Sequence, residues 1–282
     1  LSELFHRYGG NVAVEESGGH FVDESEEPYG ADSAIVKTYI PSDSVSDERR
    51  NRIDLGVRLI AYLTPISGLC EKVLQDNEWH DSWKQHFHPL HIGKKLVIVP
   101  TWHDYKKKVL EVVIELDPGM AFGTGHHPTT RMCLELIEEL VIPGVRVADL
   151  GCGSGILSIA SAKLGAGEVI GLEIDPIAVE VARSNVEINR VDRAVRIDQG
   201  ELPSEIPAEK YDVVVANISA KVIVALANSV SSLLLPGGRL IVSGILSEKQ
   251  DIVSGVLMKS GLHVGRKIRI GDWISFVAEL SV

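Results

Sequence analysis

The sequence predicts an α/β protein in which a doubly wound, Rossmann-like sheet of seven strands follows a small α+β domain. From residue 144 onward, apolar runs of strand length alternate with helix-length amphipathic stretches, as in a parallel sheet covered by helices on both faces. The run at 145–150 passes through three closely spaced glycines into helical spacing, which predicts a strand, a tight turn and a helix. The last two segments, 263–270 and 273–280, alternate apolar and polar residues and predict an antiparallel pair.

The individual elements of the sheet follow from these runs. We expect strands at 145–150, 168–172, 194–198, 211–216 and 239–243, and helices at 156–164, 176–189, 221–235 and 247–259. Upstream, 95–100 and 109–116 are predicted strands joined by a basic hairpin tip at 103–108, and 129–140 is a predicted amphipathic helix. Because ligands of such sheets bind beyond the carboxyl ends of the strands, functional residues are expected at that edge.

Residues 1–76 predict a separate α+β domain. Helical patterns occupy 2–8 and 46–63, strand patterns occupy 11–15, 33–40 and 69–74, and an acidic loop at 23–27 lies between the first two strands. The order α-β-β-α-β becomes the ferredoxin-like β-α-β-β-α-β unit if one strand precedes it. Because the chain starts with Leu1 and not with Met, we expect such a strand to precede this sequence.

Residues 77–88 predict a linker helix between this domain and a catalytic domain at 89–282. Trp79, Trp83 and Phe87 recur every four residues and share one helix face, and Pro89 ends the helix. These aromatic side chains suit a connector that packs through its rings. A surface that stacks nucleic-acid bases is the alternative, but the acidic composition disfavours it.

Composition narrows the class of function. The 282 residues are 45% hydrophobic, enough for two cores, and carry a net charge of −11 with a pI near 5.4. Nonspecific nucleic-acid binding needs a basic surface, so a small ligand or a basic protein partner fits this chain better. No apolar run reaches membrane-spanning length and no signal peptide is visible, so no membrane association is expected.

The metal-ligating and thiol residues show no site spacing. The three cysteines, Cys70, Cys133 and Cys152, are scattered and odd in number, which predicts no disulfide framework and a reducing, cytoplasmic setting. His126 and His127 are adjacent and would diverge on any regular element. We therefore expect no metal ion.

The segment V-A-D-L-G-C-G-S-G-I at 147–156 predicts a site for a nucleotide-like ligand. Glycines such as Gly151 and Gly153 let the backbone approach a ligand closely, and the following helix offers unpaired N–H groups. Glu173, at the end of the next strand, can accept hydrogen bonds from two ribose hydroxyls. The spacing is G-x-G-x-G, whereas a nicotinamide dehydrogenase would have G-x-G-x-x-G. A tight strand-to-helix connection without a ligand is the structural alternative.

A second group of candidates lies beside the fourth strand and in a glycine-rich loop. Asn217 follows the strand at 211–216, so its amide carbonyl could face a substrate amine or the amine of a cofactor. As a structural alternative, Asn217 caps the next helix. The segment 117–130 predicts a loop that orders over the site, with Phe122 covering the reacting group and Thr130 in the first turn of the next helix.

Four segments together resemble one family of class I methyltransferases, those that modify large-subunit ribosomal protein eleven. They are D-P-G-M-A-F-G-T-G-H-H-P-T-T at 117–130, D-L-G-C-G-S-G-I-L at 149–157, V-V-V-A-N-I at 213–218 and S-G-I-L at 243–246. The resemblance covers 77–282, whereas 1–76 matches only in element order and length. It implies S-adenosylmethionine as the cofactor, contacted through Thr130, Gly151, Glu173 and Asn217. The family usually has Asp where this chain has Glu173.

The resemblance also implies an activity and a partner. The family transfers methyl groups to lysine side-chain amines and to the N-terminal amine of ribosomal protein eleven, a basic protein that its N-terminal domain recognises. The acidic loop at 23–27 agrees with such a partner, and no direct contact with nucleic acid is required. We expect catalysis by placement and desolvation, with Asn217 orienting the amine and Phe122 excluding water. The alternatives are another protein, RNA or a small molecule as acceptor, and a binding protein without activity.

Overall fold

The structure is a computed structural model that describes residues 4–5, 12–16, 34–38, 40, 46–64, 66, 68–71, 88–117, 123–202 and 210–280. The chain divides into two compact units, residues 1–85 and 86–282. We describe each unit separately. The assignment of substrate recognition to 1–76, a linker to 77–88 and catalysis to 89–282 stays a prediction, and residues 77–87 lie outside the described part of the chain.

The first unit contains an antiparallel strand pair and one long helix. Strand β1 (Val12–Glu16) pairs with β2 (Ala34–Thr38), and helix α1 spans Ser46–Ala61. Ile53 and Val57 of the helix are buried together with Phe5, which agrees with the amphipathic pattern. Of the strand predicted at 69–74, residues 69–71 are irregular and the others lie outside the described residues. The ferredoxin-like topology stays a prediction.

The second unit begins with a small three-stranded sheet. Strand β3 (Leu90–Ile92) is antiparallel to β4 (Leu96–Pro100), and β4 is parallel to β5 (Val112–Leu116). The predicted hairpin between β4 and β5 is therefore wrong. All five residues of β4 are buried, as expected for a central strand that is covered on both faces. The segment before β5 is held by Glu111, whose carboxylate accepts the Lys108 N–H and the Tyr105 hydroxyl.

A seven-stranded sheet with helices forms the rest of this unit, and it confirms the predicted fold class. The elements, in chain order, are α2 (Pro128–Leu140), β6 (Arg146–Leu150), α3 (Ile156–Lys163), β7 (Glu168–Glu173), α4 (Pro176–Ile188), β8 (Val195–Gln199), β9 (Tyr211–Asn217), α5 (Ala220–Leu233), β10 (Leu234–Leu246), α6 (Gln250–Lys259), β11 (Leu262–Ile270) and β12 (Trp273–Leu280). The strand order is β11-β12-β10-β9-β6-β7-β8. In this sheet β12 is antiparallel to its two neighbours, β10 and β11, and the other six strands point in one direction.

The winding direction of the sheet reverses between β6 and β9. The chain winds outward from β6 to β7 and β8 and then returns to β9 on the other side of β6. Leu150 is level with Ala216 in the parallel ladder, so both strands end at the same height. Alternate β6 residues face two different cores: Val147 packs with the cluster of α2, α3 and α4, and Ala148 with that of α5 and α6. Open parallel sheets bind ligands where the winding direction reverses in this way.

Candidate functional site

The glycine turn links β6 to α3 through backbone conformations that residues other than glycine rarely adopt. Gly151, Gly153 and Gly155 have φ values of 74°, 54° and 79°. The Gly151 N–H donates to the carbonyl of Leu172 on the neighbouring strand at 2.8 Å. A Cβ atom at Gly151 would lie 2.6 Å from Cγ2 of Ile218, so the turn packs directly against the residue that follows β9. Glycine is required here both for its conformation and for this close approach.

Glu173 ends β7 and fastens the glycine turn to that strand. Its Oε2 accepts the Gly153 N–H at 2.9 Å, and its Oε1 accepts the N–H groups of Ile174 and Asp175 at 2.9 and 3.1 Å. The side chain is only partly buried. A carboxylate has about four acceptor positions, so these three bonds leave room for another donor. The sequence predicted the place of Glu173 but not its bond to the glycine turn.

Asn217 is the last residue of β9, and its amide is placed between the sheet and α2. Its Nδ2 donates to Oγ1 of Thr130 at 3.4 Å, whereas its Oδ1 is buried and has no hydrogen-bond partner. A buried acceptor without a donor costs roughly 1–3 kcal/mol, so this oxygen points to a missing N–H or O–H group. The alternative that Asn217 caps α5 is wrong, because Ser219 occupies the N-cap position.

The first turn of α2 carries the two threonines of the glycine-rich loop. Thr129 and Thr130 are 1% and 0% exposed, so both hydroxyls lie in the interior. His127 occupies the N-cap: its Nδ1 accepts the Thr129 N–H at 3.3 Å and lies 2.7 Å from the Thr129 hydroxyl. Its ring packs edge-on against Trp273, with centroids 4.9 Å apart. His127 therefore holds the helix start, a role that its position before Pro128 could have indicated.

Asp149 is a buried carboxyl close to the glycine turn, which the sequence analysis did not single out. It is 1% exposed, its Oδ2 accepts the Ser158 hydroxyl at 2.7 Å, and its Oδ1 has no partner. Burial raises the pKa of this carboxyl to about 7, and the nearby charge of Glu173 acts in the same direction. The signal in the sequence is an acidic residue that follows two apolar residues in a strand, two positions before the first glycine of the turn.

The residues that flank the segment 118–122 are both connected to the glycine turn by hydrogen bonds. Asn185, fully buried on α4, accepts the Asp117 N–H and donates to the carbonyls of Asp117 and Ser154. On the other side, the Ser154 hydroxyl donates to the Gly123 carbonyl at 2.7 Å. Phe122 lies outside the described residues, so its predicted position over the reacting group stays a prediction.

Two thiols near this edge, those of Cys133 and Cys152, are buried. Burial raises the pKa of Cys133 to about 12, and burial also raises the pKa of Cys152 well above its usual value.

Within the residues that the structure describes, no group of three or more His, Cys, Asp or Glu side chains could hold a metal ion. In the same part of the chain, no helix is both long and apolar enough to cross a membrane.

The sequence matches one protein family along almost its whole length. The family model "Ribosomal protein L11 methyltransferase (PrmA)" matches residues 2–281. The chain belongs to this family. The predictions of the family, of the class I fold and of a methyltransferase activity are confirmed, whereas the roles predicted for individual site residues stay predictions.

Individual relatives agree with the family assignment. The ribosomal protein L11 methyltransferase of Chloroflexus aurantiacus is 39% identical over 303 residues, covering 98% of this chain and 92% of the relative. That of Alkaliphilus oremlandii is 44% identical over 250 residues, covering 88% and 80%. The crystal structure of the ribosomal protein L11 methylase from Lactobacillus delbrueckii subsp. bulgaricus is 31% identical with a TM-score of 0.64, covering 70% of this chain and 99% of that one.

Proposed function

We propose that this methyltransferase transfers methyl groups from S-adenosylmethionine to amines of large-subunit ribosomal protein L11, the protein that the names of its relatives give as their methylation substrate. The observation that carries the proposal is the buried Oδ1 of Asn217, an acceptor without a donor at the carboxyl end of β9. An amine supplies the missing N–H group. This is the chemical group that an amine methyltransferase must hold, either on its acceptor or on the methionine part of its cofactor.

The residues around the glycine turn fit S-adenosylmethionine. The unpaired oxygens of Asp149 and Asn217 lie on adjacent strands and suit a ligand that carries a positively charged amino group. Gly151 allows a ligand to approach the backbone, and Glu173 keeps an acceptor position for the ribose hydroxyls. Thr130, beside Asn217, would hold the same part of the cofactor.

The edge beside Glu173 fits the base of the nucleoside. Ile174 and Ile177 are 60% and 53% exposed, which is unusual for large apolar side chains directly next to a polar site. We assign them to the flat face of the adenine ring, which would bury this surface. The sequence analysis missed both residues. Their signal is an apolar residue directly after the acidic end of a strand.

The chemistry requires an uncharged amine. When bound, S-adenosylmethionine supplies a methyl group on a positively charged sulfur. A lysine side chain has a pKa near 10.4, so only roughly one amine in a few thousand is neutral at pH 7. Burial of the amine beside a positive charge lowers that pKa. Asn217 can accept a hydrogen bond from the neutral amine and orient its lone pair, but an amide does not remove the proton at neutral pH.

The first unit of the chain is assigned to recognition of the protein substrate. Net charge supports this assignment, because an acidic chain attracts the basic surface of a ribosomal protein. The predicted acidic loop at 23–27 lies in this unit, outside the described residues. Recognition through a separate unit leaves the sheet edge free to bind the cofactor and the target amine.

The decisive experiment measures transfer of the labelled methyl group of S-adenosylmethionine. Purified ribosomal protein L11, ribosomal RNA and free lysine are offered separately as acceptors, and Asn217→Ala is the matched control with lowered activity. We expect incorporation into the ribosomal protein only, on amine nitrogens. Incorporation into RNA or free lysine but not into the protein would overturn the proposed acceptor. Binding of the cofactor without transfer to any of the three would favour a binding protein.

A further inference from the structure

A chain of buried hydroxyl groups runs from β12 to the first turn of α2. The Ser275 hydroxyl donates to Oγ of Ser243 at 2.6 Å, and the Ser243 hydroxyl donates to the Thr129 carbonyl at 3.3 Å. Both serines are 0% exposed. Hydroxyl groups at this depth are costly unless they are hydrogen-bonded, and here each one is.

The register of the sheet places this chain next to Asn217. Ser243 of β10 is the direct neighbour of Asn217 in the parallel ladder with β9. The Thr129 carbonyl belongs to the same helical turn as Thr130, whose hydroxyl receives the Asn217 amide. Asn217 and the start of α2 are therefore joined twice, once directly through Thr130 and once through Ser243.

Regular alternation along β10 aims Ser243 at the helix, on the same face as Ile241, which packs in the core that contains α2, and a β-bulge follows it. The pairing of β10 with β12 shifts between Val242 and Ile245, and Gly244 has a φ of 81°. A Cβ atom at Gly244 would lie 2.4 Å from the carbonyl oxygen of Ile218, so only glycine fits beside the residue after Asn217. The bulge interrupts the alternation after Ser243, so that Ile245 packs in the other core, that of α5 and α6. This bulge lies at the S-G-I-L segment, whose role the glycine turn and Asn217 do not explain.

We propose that Ser243 and Ser275 are positioning residues for methyl transfer, which lock the first turn of α2 against β9 and β10 so that Thr130 holds the Asn217 amide in its working orientation. The expected effect on methyl transfer rests on the proposed function. The hydroxyl pair touches neither the cofactor nor the acceptor. It acts through Thr129, Thr130 and Asn217. A misplacement of the order of an ångström at a reacting group can lower the rate about a hundred-fold, so a small rotation of this turn is sufficient to matter.

The test compares Ser243→Ala and Ser275→Ala with Ser161→Ala. Ser161 is also 0% exposed and donates its hydroxyl to a helix carbonyl, that of Leu157, but it lies on α3. All three variants remove the same buried group, so a purely structural role predicts similar effects. We expect Ser243→Ala to lower kcat and the affinity for S-adenosylmethionine roughly tenfold with KM for the protein substrate unchanged. Ser275→Ala should act in the same direction, and Ser161→Ala should leave all three quantities unchanged.

A double-mutant cycle decides whether Ser243 acts through the helix turn. In a Thr130→Ala background, Ser243→Ala should have little further effect on cofactor affinity, because the contact that it positions is already lost. Additive effects of the two changes would overturn the proposal, as would an unchanged kcat and cofactor affinity in folded Ser243→Ala. Cofactor binding can be measured without an acceptor. A wild-type protein that binds S-adenosylmethionine but does not methylate ribosomal protein L11 would therefore contradict only the proposed acceptor. The cycle would still decide the role of Ser243.

Discussion

In the proposed reaction, Asn217 directs the chemistry without exchanging protons. Its Nδ2 donates to Thr130, whereas its Oδ1 is buried without a partner and is the atom that we propose accepts from the amine. An amide carbonyl accepts one of the hydrogen atoms of a neutral amine and thereby directs the lone pair away from itself. Orientation of this kind contributes to the rate only through geometry, so its loss should lower kcat.

Substitution of Asn217 tests this role. Asn217→Ala should lower turnover roughly ten- to a hundred-fold, the equivalent of about 1.5–3 kcal/mol for a lost hydrogen bond to a charged or reacting group. Asn217→Asp keeps the shape but adds a carboxylate, which stabilises the unreactive ammonium and should shift the pH dependence of turnover to higher pH. The measurement is methyl transfer from pH 6 to 10. Wild-type turnover in Asn217→Ala would exclude the orienting role.

Glu173 is expected to combine a structural and a binding role. Glu173→Ala removes the proposed acceptor of the ribose hydroxyls and also leaves three backbone N–H groups without their carboxylate. We expect the affinity for S-adenosylmethionine, measured by calorimetry, to fall roughly ten- to a hundred-fold. Glu173→Asp, which keeps the charge on a shorter side chain, should bind within about tenfold of the wild type. If the dissociation constant of Glu173→Ala changes less than about twofold, the ribose is held elsewhere.

Asp149 predicts how stability depends on pH. Burial raises its pKa from 3.8 to about 7 in the folded protein. Between these values the unfolded chain has lost the proton that the folded chain retains, so the free energy of unfolding falls as the pH rises. The side chain in Asp149→Asn does not ionise, so the free energy of unfolding of this variant does not fall for this reason. Urea unfolding should therefore show the variant gaining stability relative to the wild type from pH 4 to pH 7.

The matched control for this prediction is Asp198→Asn. Its carboxylate is partly exposed and pairs with Arg196, so its removal should not reproduce the trend. Parallel stability curves for Asp149→Asn and the wild type across this pH range would show that the Asp149 carboxyl is already ionised in the folded protein.

At the scale of whole elements, the site is made by the ends of strands and not by any one segment. The carboxyl ends of β6, β7 and β9 supply Gly151, Glu173 and Asn217, and the start of α2 supplies Thr130. The glycine turn is the element that brings two of these ends together. It packs on Ile218 after β9 and receives the carboxylate from β7. A change in the turn should therefore disturb the cofactor site as a whole.

Gly151→Ala and Gly144→Ala separate this packing from backbone strain. Both glycines have positive φ, 74° and 89°, so both changes carry the strain of a left-handed conformation, about 1–2 kcal/mol. Only at Gly151 does the new Cβ meet another atom, whereas Gly144 faces open space. We expect cofactor affinity, measured by calorimetry, to fall at least about tenfold in Gly151→Ala and to be unchanged in Gly144→Ala. Equal affinities would mean that the turn tolerates a side chain.

At the scale of the whole molecule, the two units are expected to divide recognition from catalysis. A chain shortened to residues 86–282 retains the sheet and every described site residue. It should bind S-adenosylmethionine with the affinity of the full chain and should fail to methylate intact ribosomal protein L11. Calorimetry and the labelled-methyl assay measure the two properties separately. Full activity of the shortened chain on the intact protein would overturn the assignment of recognition to the first unit.

The sequence by itself determined the alternation of strands and helices, the glycine turn and the place of Glu173 and Asn217 at strand ends. These features are local, because periodicity over a few residues decides whether a segment becomes a strand or a helix and which residues end it. The family followed from short segments, of which the loop at 117–130 is highly specific and the glycine turn is generic. Within the described residues, the largest error came from the connection between β4 and β5, where two predicted strands with a polar segment between them suggested a hairpin.

The tertiary structure alone decided which of these residues meet. Thr130 lies 87 positions before Asn217, and Ser243 becomes the neighbour of Asn217 only through the register of β10 with β9. The carboxylate of Glu173 turned out to hold Gly153, and Asn217 proved not to be a helix cap. Register, bulges and contacts between distant segments depend on how all core side chains pack at once, and no local pattern along the chain contains that information.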